Sequence, residues 1–378
     1  MIEDFIETIG WTNLVFLIVG TALLLVIVLF MSYYRVVISI ANFTYPNAIF
    51  RAGGNPYLKE KKISDLIEGG NLNEVYSELE EDNYEVPKEA RDDMEDVELE
   101  LEKRTIELIK KGHNASPDET KGFTKAWLAK YDVMMAKRAI KGVAKGQSEE
   151  ILEDRLHPID EIDEKVIEDI ISSRNLQEVL SILRETSLEE VLEKKDWEGK
   201  FFELDVALDQ YVFNKLQSGI FKVESEQRSP VRNFYGRYVD IWNIKTVLRG
   251  IREGIDKEKL KESLISNGRE LALWKMEDMA ESKSVEEALV ELEGTTYKDL
   301  RNKMQSGESF DFERYLEKKL LSIVIDLNNK NILTVGPTLK YLVGKELELR
   351  NLRALVHGIK EDLPAEEIKE LMILEENT

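Results

Sequence analysis

The feature that most constrains this fold is a helical pattern that occurs three times at a fixed spacing. Its glycine recurs every 108 residues, at Gly142, Gly250 and Gly358. The apolar positions around it recur at the same step, and within each copy they have the i, i+3, i+7, i+10 spacing of one face of an α-helix. A step that is kept over the length of a whole helix predicts three copies of one unit.

Polar residues keep the same step, so that an acid and a base recur in every copy. They are Asp132, Asp240 and Glu348 for the acid, and Lys137, Lys245 and Arg353 for the base. Within one copy the two are five residues apart, whereas ion pairs along a helix prefer a separation of three or four. Two interpretations stay open: these residues fix the position of the helix, or they line a surface that the copies share and present to a partner.

A second, smaller element recurs at a step of 213 residues, and Leu79 and Tyr84 match Leu292 and Tyr297 in it. Its spacing predicts two short helices. The repeating unit is therefore a long helix, a break, a helix, a second break and a small helical pair. Because no sustained alternation of apolar and polar residues occurs, the sequence predicts an all-α fold.

Composition excludes several classes of function. The chain has 74 acidic and 52 basic residues, a formal net charge of -22, which disfavours nucleic-acid binding. It has no cysteine, which excludes disulfides and thiolate metal sites. None of the three histidines has the convergent partners that metal ligation needs. Phosphate-binding loops, nucleophile elbows and zinc-hydrolase motifs are absent, and we predict no catalytic, cofactor-binding or metal-binding residue.

The N-terminal part predicts a membrane span. No residue from Thr8 to Tyr34 is charged, and this length suffices to cross a bilayer as a helix. Acids precede the stretch and Arg35 follows it, which places the bulk of the chain in the cytoplasm at the cell membrane. A cleaved signal peptide and a buried core helix are the alternatives. After the span, Pro46 is expected to interrupt the helix.

These signals predict five segments. They are a transmembrane helix at 8–34, a first and truncated helical unit at 35–111, a second unit at 112–228, a third at 229–335, and a C-terminal copy of the repeat helix at 336–378. Turn residues recur at the junctions, as they do in arrays of repeats.

The repeat helix resembles a known family. The middle copy carries Asp240, Asn243, Lys245, Arg249 and Gly250, and it is similar to the Asp-x-x-Asn-x-Lys-x-x-x-Arg helix in the C subunit of archaeal A-type (V/A-type) ATP synthases, which is related to the d subunit of the vacuolar ATPase. The last copy shares the pattern through Glu348, Arg350, Asn351, Arg353 and Gly358. The first copy keeps Asp132, Lys137 and Gly142 but has Met135 where the family often has Asn.

The resemblance extends over about residues 36–373. It implies three similar helical domains around a pseudo-threefold axis, which together form a funnel. It also implies partners: the proteolipid ring of the membrane sector below the funnel, and central shaft subunits of the D and F type above it. A member of the family transmits torque between the two and has no catalytic residues or cofactor. The N-terminal span is a departure from this pattern, and we expect it to contact membrane lipid and to lie inside or beside the ring.

Two other functions remain open at this stage. One is a membrane-anchored helical scaffold or adaptor that is unrelated to ATP synthase. The other is an α-helical enzyme whose carboxylates bind a divalent metal, although Glu-x-x-His pairs, which such sites use, are absent. The proteins that copurify with the chain would distinguish the scaffold from the rotary ATP synthase part.

Overall fold

The computed structural model describes residues 11–305 and 311–375, which form α-helices, short 3₁₀ turns and loops without any strand. The predicted all-α class is confirmed. Some predicted features lie outside the described residues: the first three positions of the span at 8–34, residues 306–310 of the third unit, and residues 376–378 of the last segment.

The first helix, α1, runs without a break from Trp11 to Gly53. The predicted interruption at Pro46 is therefore wrong. Proline removes one backbone hydrogen bond from a helix, but Phe43 and Phe50 on either side of it are buried against the rest of the protein. That packing holds the helix through the proline, and the helix ends instead at Gly53, directly before Gly54, which has a positive φ.

Seventeen more helices follow among the described residues. They are α2 (Glu60–Gly69), α3 (Leu72–Glu81), α4 (Met94–Ala115), α5 (Asp118–Ala144), α6 (Glu149–Arg155), α7 (Glu164–Ile171), α8 (Leu176–Arg184), α9 (Glu189–Leu192), α10 (Phe201–Phe221), α11 (Ser225–Glu253), α12 (Lys257–Glu262), α13 (Leu273–Ala280), α14 (Val285–Ala288), α15 (Asp299–Gln305), α16 (Phe312–Lys330), α17 (Gly336–Lys360) and α18 (Ala365–Leu371). The three repeat helices are α5, α11 and α17.

Six long helices form the frame of the body. Three pairs each combine a repeat helix with another long helix: α5 with α10, α11 with α16, and α17 with α4. Neighbouring pairs also touch, because α4 contacts α5, α10 contacts α11, and α16 contacts α17. The six helices therefore form a closed circuit, in which the last helix returns to the first.

The two ends of the body share one hydrophobic core. Buried side chains between Tyr57 and Leu108 pack with buried side chains between Leu352 and Met372. A second, larger core contains the remaining repeat helices and their partners. α5 and α11 pack against small helices and a long partner helix from the chain that follows them. For the C-terminal repeat helix, residues 57–108 provide the corresponding small helices and the long partner helix.

The recurring glycines have one packing role. A Cβ atom on Gly142 would lie 2.7 Å from Cδ2 of Leu152, and one on Gly358 would lie 2.7 Å from Cγ1 of Ile368. Leu260 approaches Gly250 in the same way. The three apolar residues follow their glycines at a constant spacing, so the end of each repeat helix receives a side chain from the short segment after it.

We predict that Gly250→Ala destabilises the body, although alanine is the better helix former by about 1 kcal/mol. The added methyl group overlaps Leu260, and overpacking of this kind costs about 1–3 kcal/mol. Thermal unfolding followed by circular dichroism in detergent should show a lower midpoint for the variant.

Gly20→Ala is the matched control, since nothing lies within 4 Å of the position that its Cβ would take. In a Leu260→Ala background, Gly250→Ala should no longer lower the midpoint, because the leucine side chain that its methyl group overlaps has been removed. An unchanged midpoint for Gly250→Ala alone would contradict the packing role of the glycine.

Candidate functional site at the junction of the repeat helices

The three recurring acids are buried, and those of the first two copies bind the backbone of a loop that comes after their own helix. Oδ1 of Asp132 accepts hydrogen bonds from the N–H groups of residues 160–162, at 3.0 to 3.2 Å. The carboxylate of Asp240 accepts from the N–H groups of Glu270 and Leu271, at 2.9 and 3.2 Å. Because the donors are backbone groups, each acid fixes the path of the loop that returns past its helix.

The third acid makes the same kind of contact with a distant part of the chain. Glu348 accepts from the N–H of Tyr57 at 2.9 Å and from Oη of Tyr84 at 2.9 Å, and Nζ of Lys345 lies 2.7 Å away. Tyr297, which matches Tyr84 in the smaller repeat, donates in turn to the acid of the middle copy at 3.4 Å. The contact is kept although the residues that bind Glu348 lie near the other end of the chain.

Burial sets the protonation of these acids. Removal from water raises the pKa of Asp132 and of Asp240 to about 6, against the opposing effect of the backbone N–H donors. Burial also raises the pKa of Glu348, and the neighbouring Lys345 ammonium acts in the opposite direction. The loops are therefore attached through carboxyl groups that are harder to ionise than those at the surface.

Two recurring asparagines extend this pattern. Asn243 donates to the carbonyl of Ile265 at 2.7 Å and accepts from its N–H at 2.9 Å. Asn351 makes the equivalent pair with Ile373, with both bonds at 2.8 Å. The first copy has the buried Met135 at this position, so packing there replaces the amide contact.

The recurring bases pair with acids on the long helix that packs against their own. The contacts are Lys137 with Asp209 at 2.7 Å, Lys245 with Glu317 at 2.8 Å, and Arg353 with Glu102 at 2.9 Å. None of these acids is the one five residues earlier in the same helix. The bases therefore join the two long helices of each pair, across the helix interface.

The two remaining arginines of the pattern also face a packed helix. Arg249 donates to the carboxylate of Glu313 on α16, with Nη2 at 2.7 Å. Arg350 on α17 forms ion pairs with Glu317 and Asp311, the latter at 3.7 Å. Glu317 thus contacts bases of two different copies, and these contacts add charge pairing to the packing of α16 against α11 and α17.

One junction brings all three copies together. Nζ of Lys130 lies 2.8 Å from Oη of Tyr238 and 2.7 Å from Oε1 of Glu346. These residues occupy the same position in the three copies, one 108-residue step apart. The three repeat helices therefore approach one another at this contact. We call Lys130, Tyr238 and Glu346 the axial triad.

Neighbouring side chains enclose the axial triad. Oη of Tyr131 donates to Glu346 at 2.7 Å, and the ring of Trp127 packs against that of Tyr238 with centroids 5.4 Å apart. Burial lowers the pKa of Lys130, but the carboxylate of Glu346 and the phenol of Tyr238 outweigh it and raise the pKa overall. The ammonium therefore stays charged. Sequence reasoning missed the triad because its three members are chemically unlike, although the 108-residue step alone would have aligned them.

A second junction lies at the start of the repeat helices, where α1 contacts all three. Nδ2 of Asn42 donates to Glu119 at the start of α5 at 2.6 Å. Nε2 of Gln227, in the first turn of α11, donates to the hydroxyl of Ser39 at 3.1 Å. Finally, Nδ2 of Asn47 on α1 donates to the carbonyl that precedes α17 by two residues, at 3.0 Å.

The rest of α1 is apolar and exposed. An 18-residue window within Asn13–Gly53 has a mean hydropathy of 3.2, and none of it is buried. This helix is long and apolar enough to cross a membrane, and its exposure excludes the alternative of a core helix within this body.

A cavity of about 470 Å³ opens beside the axial triad, between α5, α10 and α11. Apolar side chains, among them Val133, Phe213 and Trp242, form much of its wall. Lys141 and Lys145 also line it, near the end of α5 that lies away from α1. Over the described residues, no group of His, Asp or Glu side chains is arranged to hold a metal ion.

We predict that the buried acids make stability depend on pH. The folded-state pKa of Asp132 is about 6, above the unfolded value of about 3.9, so the folded chain binds this proton first on acidification. The contribution of this group to stability therefore rises as pH falls through 6. Asp132→Asn keeps the hydrogen-bond acceptor without the charge. The thermal midpoint of this variant should be higher than that of the wild type at pH 7.5, and the difference between the two should be smaller at pH 5.

The matched variant Asp132→Ala should lose stability at both pH values, because three backbone N–H groups lose their acceptor, and the loss at the buried N–H of Ile162 alone costs about 1–3 kcal/mol. A difference between Asp132→Asn and the wild type that does not change with pH would contradict the raised pKa.

We predict strong coupling within the axial triad. Lys130→Met and Glu346→Gln should each lower the free energy of unfolding, and the two losses should not add, because either change breaks the same ion pair. A double-mutant cycle should give a coupling energy of about 1–3 kcal/mol. Lys330 and Asp326, an exposed pair on α16, should couple by less than about 0.5 kcal/mol. Equal coupling in the two cycles would contradict a special role for the triad.

The chain is similar to known proteins over most of its length. The profile of the family described as ATP synthase (C/AC39) subunit matches residues 46–371. The A-type ATP synthase C subunit of Methanocaldococcus jannaschii is 31% identical over 353 residues, which are 90% of this chain and 88% of that protein. Its counterpart from Methanothermobacter thermautotrophicus is 27% identical over 94% of both chains. The one from Pyrococcus horikoshii is 29% identical over 87% of this chain and 90% of that protein.

The family match spans the axial triad, all three repeat helices and nearly all of the core that joins the two ends of the body, whereas Ser39 and Asn42 of the second junction precede it. The resemblance that the three repeat helices predicted is thereby confirmed, and this chain belongs to the ATP synthase (C/AC39) subunit family.

Proposed function

We propose that this non-catalytic ATP synthase subunit is the central-stalk rotor part of an A-type enzyme. In this role it couples the proteolipid ring of the membrane sector to the D- and F-type shaft subunits, and it transmits torque for proton- or sodium-coupled ATP synthesis or hydrolysis. The axial triad is the observation that carries the proposal. Three copies that meet on one axis form a body that can be centred on a rotating ring and shaft.

The proposal includes a division of the body into three units around that axis. Residues 112–228 form one unit and residues 229–335 form another. The third combines residues 35–111 with the C-terminal copy at 336–378. The core between Tyr57 and Met372 supports this combination, because it joins the two segments. This combination accounts for the short first segment, since its repeat helix lies at the other end of the chain.

The ring would dock at the end of the body where α1 enters it. The turns before α11 and α17 lie at this end. Phe221 (69% exposed), the last residue of α10, lies directly before the first turn, and Leu333 (56% exposed) lies in the second. The second of these turns also accepts hydrogen bonds from Asn47 and Arg51 of α1. Exposed apolar side chains of this size favour contact with another protein or with a membrane interface.

The shaft would dock at the opposite end. The cavity beside the axial triad has apolar walls and bases near its margin, and it lies between the C-terminal half of α5 and the middle of α11. An apolar interface core with charged groups around it suits a protein partner. Its position close to the axis supports the end of a central shaft as that partner.

The exposed apolar part of α1 would anchor the protein in the membrane, with the body on the cytoplasmic side. The helix continues without a break from this part to Phe43 and Phe50 in the body. A signal peptide is the alternative, but the same helix serves both the apolar segment and the folded core, which favours a permanent span.

Copurification tests this function. A tag on the C-terminus of the full chain should recover the proteolipid and the shaft subunits from membranes solubilised in mild detergent. Recovery with only unrelated membrane proteins would contradict the proposal and favour the adaptor alternative.

Phe221→Asp combined with Leu333→Asp should weaken ring binding, because two apolar contacts become charged. We expect proteolipid recovery to fall at least about tenfold, which corresponds to about 1.4 kcal/mol of binding free energy, while the shaft subunits stay bound. Trp274→Asp is the matched control, since this equally exposed aromatic residue (64%) lies on α13, outside both turns. Equal losses from both sets of variants would contradict the assigned ring-binding face.

A further inference from the structure

We propose that the apolar span of α1 passes through the lumen of the proteolipid ring, along the rotation axis, and does not lie against the outside of the ring. The inference rests on the proposed rotor function and extends it to the position of the membrane helix. It follows from the place where α1 leaves the body, from the continuity of the helix and from the surface that the span presents.

The exit point of α1 lies among equivalent positions of the three units. Asn42 binds Glu119 at 2.6 Å, and Ser39 binds Gln227 at 3.1 Å. Glu119 and Gln227 are one 108-residue step apart, and the next equivalent position is Val335. Asn47 binds the carbonyl immediately before that valine, at 3.0 Å.

A single helix can touch the same position of three units only if it lies near the axis that relates them. The axial triad marks this axis eleven residues further along each repeat helix, at Lys130, Tyr238 and Glu346. Both junctions therefore point to one line through the body. The span begins where this line reaches the membrane-facing end.

Continuity of the helix keeps the span close to that point. α1 is one helix of 43 residues, about 65 Å long, and no loop separates the apolar part from the packed part. Pro46, where a helix bends most readily, lies within the packed part, and Phe43 and Phe50 are buried on either side of it. The span thus leaves the body at the axis without a flexible linker that could carry it to the outside of a ring.

Rotation gives a physical reason for the same position. A span attached to a rotating ring but placed on its outer side would be carried through the surrounding membrane, past any fixed subunit beside the ring, once in every turn. A span on the axis turns in place. This constraint is absent for a soluble rotor part, and it arises here because the chain carries its own apolar helix.

The surface of the span fits a lumen that contains lipid. Large apolar side chains from Val15 to Val37 are exposed around the helix, and no charged residue occurs between Thr8 and Tyr34. An apolar surface of this kind requires hydrocarbon or protein around it, and a water-filled pore would be unfavourable. The lumen that α1 enters is therefore proposed to contain lipid around one central helix.

Cryo-electron microscopy of the solubilised complex tests the position, with the map calculated without imposed symmetry. We expect one rod of density inside the ring that joins the body at its centre. A chain that lacks residues 1–30 is the control: it keeps the hydrogen bonds of Ser39, Asn42 and Asn47 to the body, so it should still dock, and the rod should be lost. A rod against the outside of the ring, or an empty lumen in the complex with the full chain, would overturn the inference.

The two proposals fail in different ways. If the tagged chain recovers no proteolipid ring at all, the rotor function itself is wrong. If the ring is present and the body is docked on it, but the central rod is absent, only the position of the span is wrong.

Discussion

The structure depends on the meeting of three equivalent positions at one point. Lys130 is charged and largely enclosed, so it needs a carboxylate within reach, and Glu346 from the last copy supplies it beside Tyr238 from the middle copy. This contact requires the third repeat helix, which is more than 200 residues away in sequence, to return to the first. The closed circuit of long helices, and the core that joins both ends of the body, satisfy the same requirement.

Within each unit, a few local contacts are used again. A buried acid binds the backbone of a returning loop, a base joins the two long helices, and a glycine receives an apolar side chain from the next segment. Each contact constrains a different part of the unit: the loop, the helix pair or the helix end. Since every repeat helix has all three, the units resemble one another in their packing, and packed helices of this kind resist deformation under load.

The sequence predicted what depends on residues within one unit. The all-α class, the register of the glycines with their apolar partners and the family were accessible, because a repeated step shows them directly. Pro46 was misjudged, since the packing of Phe43 and Phe50 that holds the helix together there comes from tertiary contacts. The axial triad was missed because a lysine, a tyrosine and a glutamate show no repeat in identity. The joining of the two chain ends was also inaccessible, since it depends on closure of the whole body.

In the proposed function, this chain turns with the ring and the shaft. Single-molecule rotation can show this movement, because the absence of native cysteines allows one label site, such as Trp274→Cys, to carry a bead. With the stator fixed to a surface and ATP supplied, we expect the bead to rotate together with the shaft. A bead that stays still while the shaft turns would contradict it.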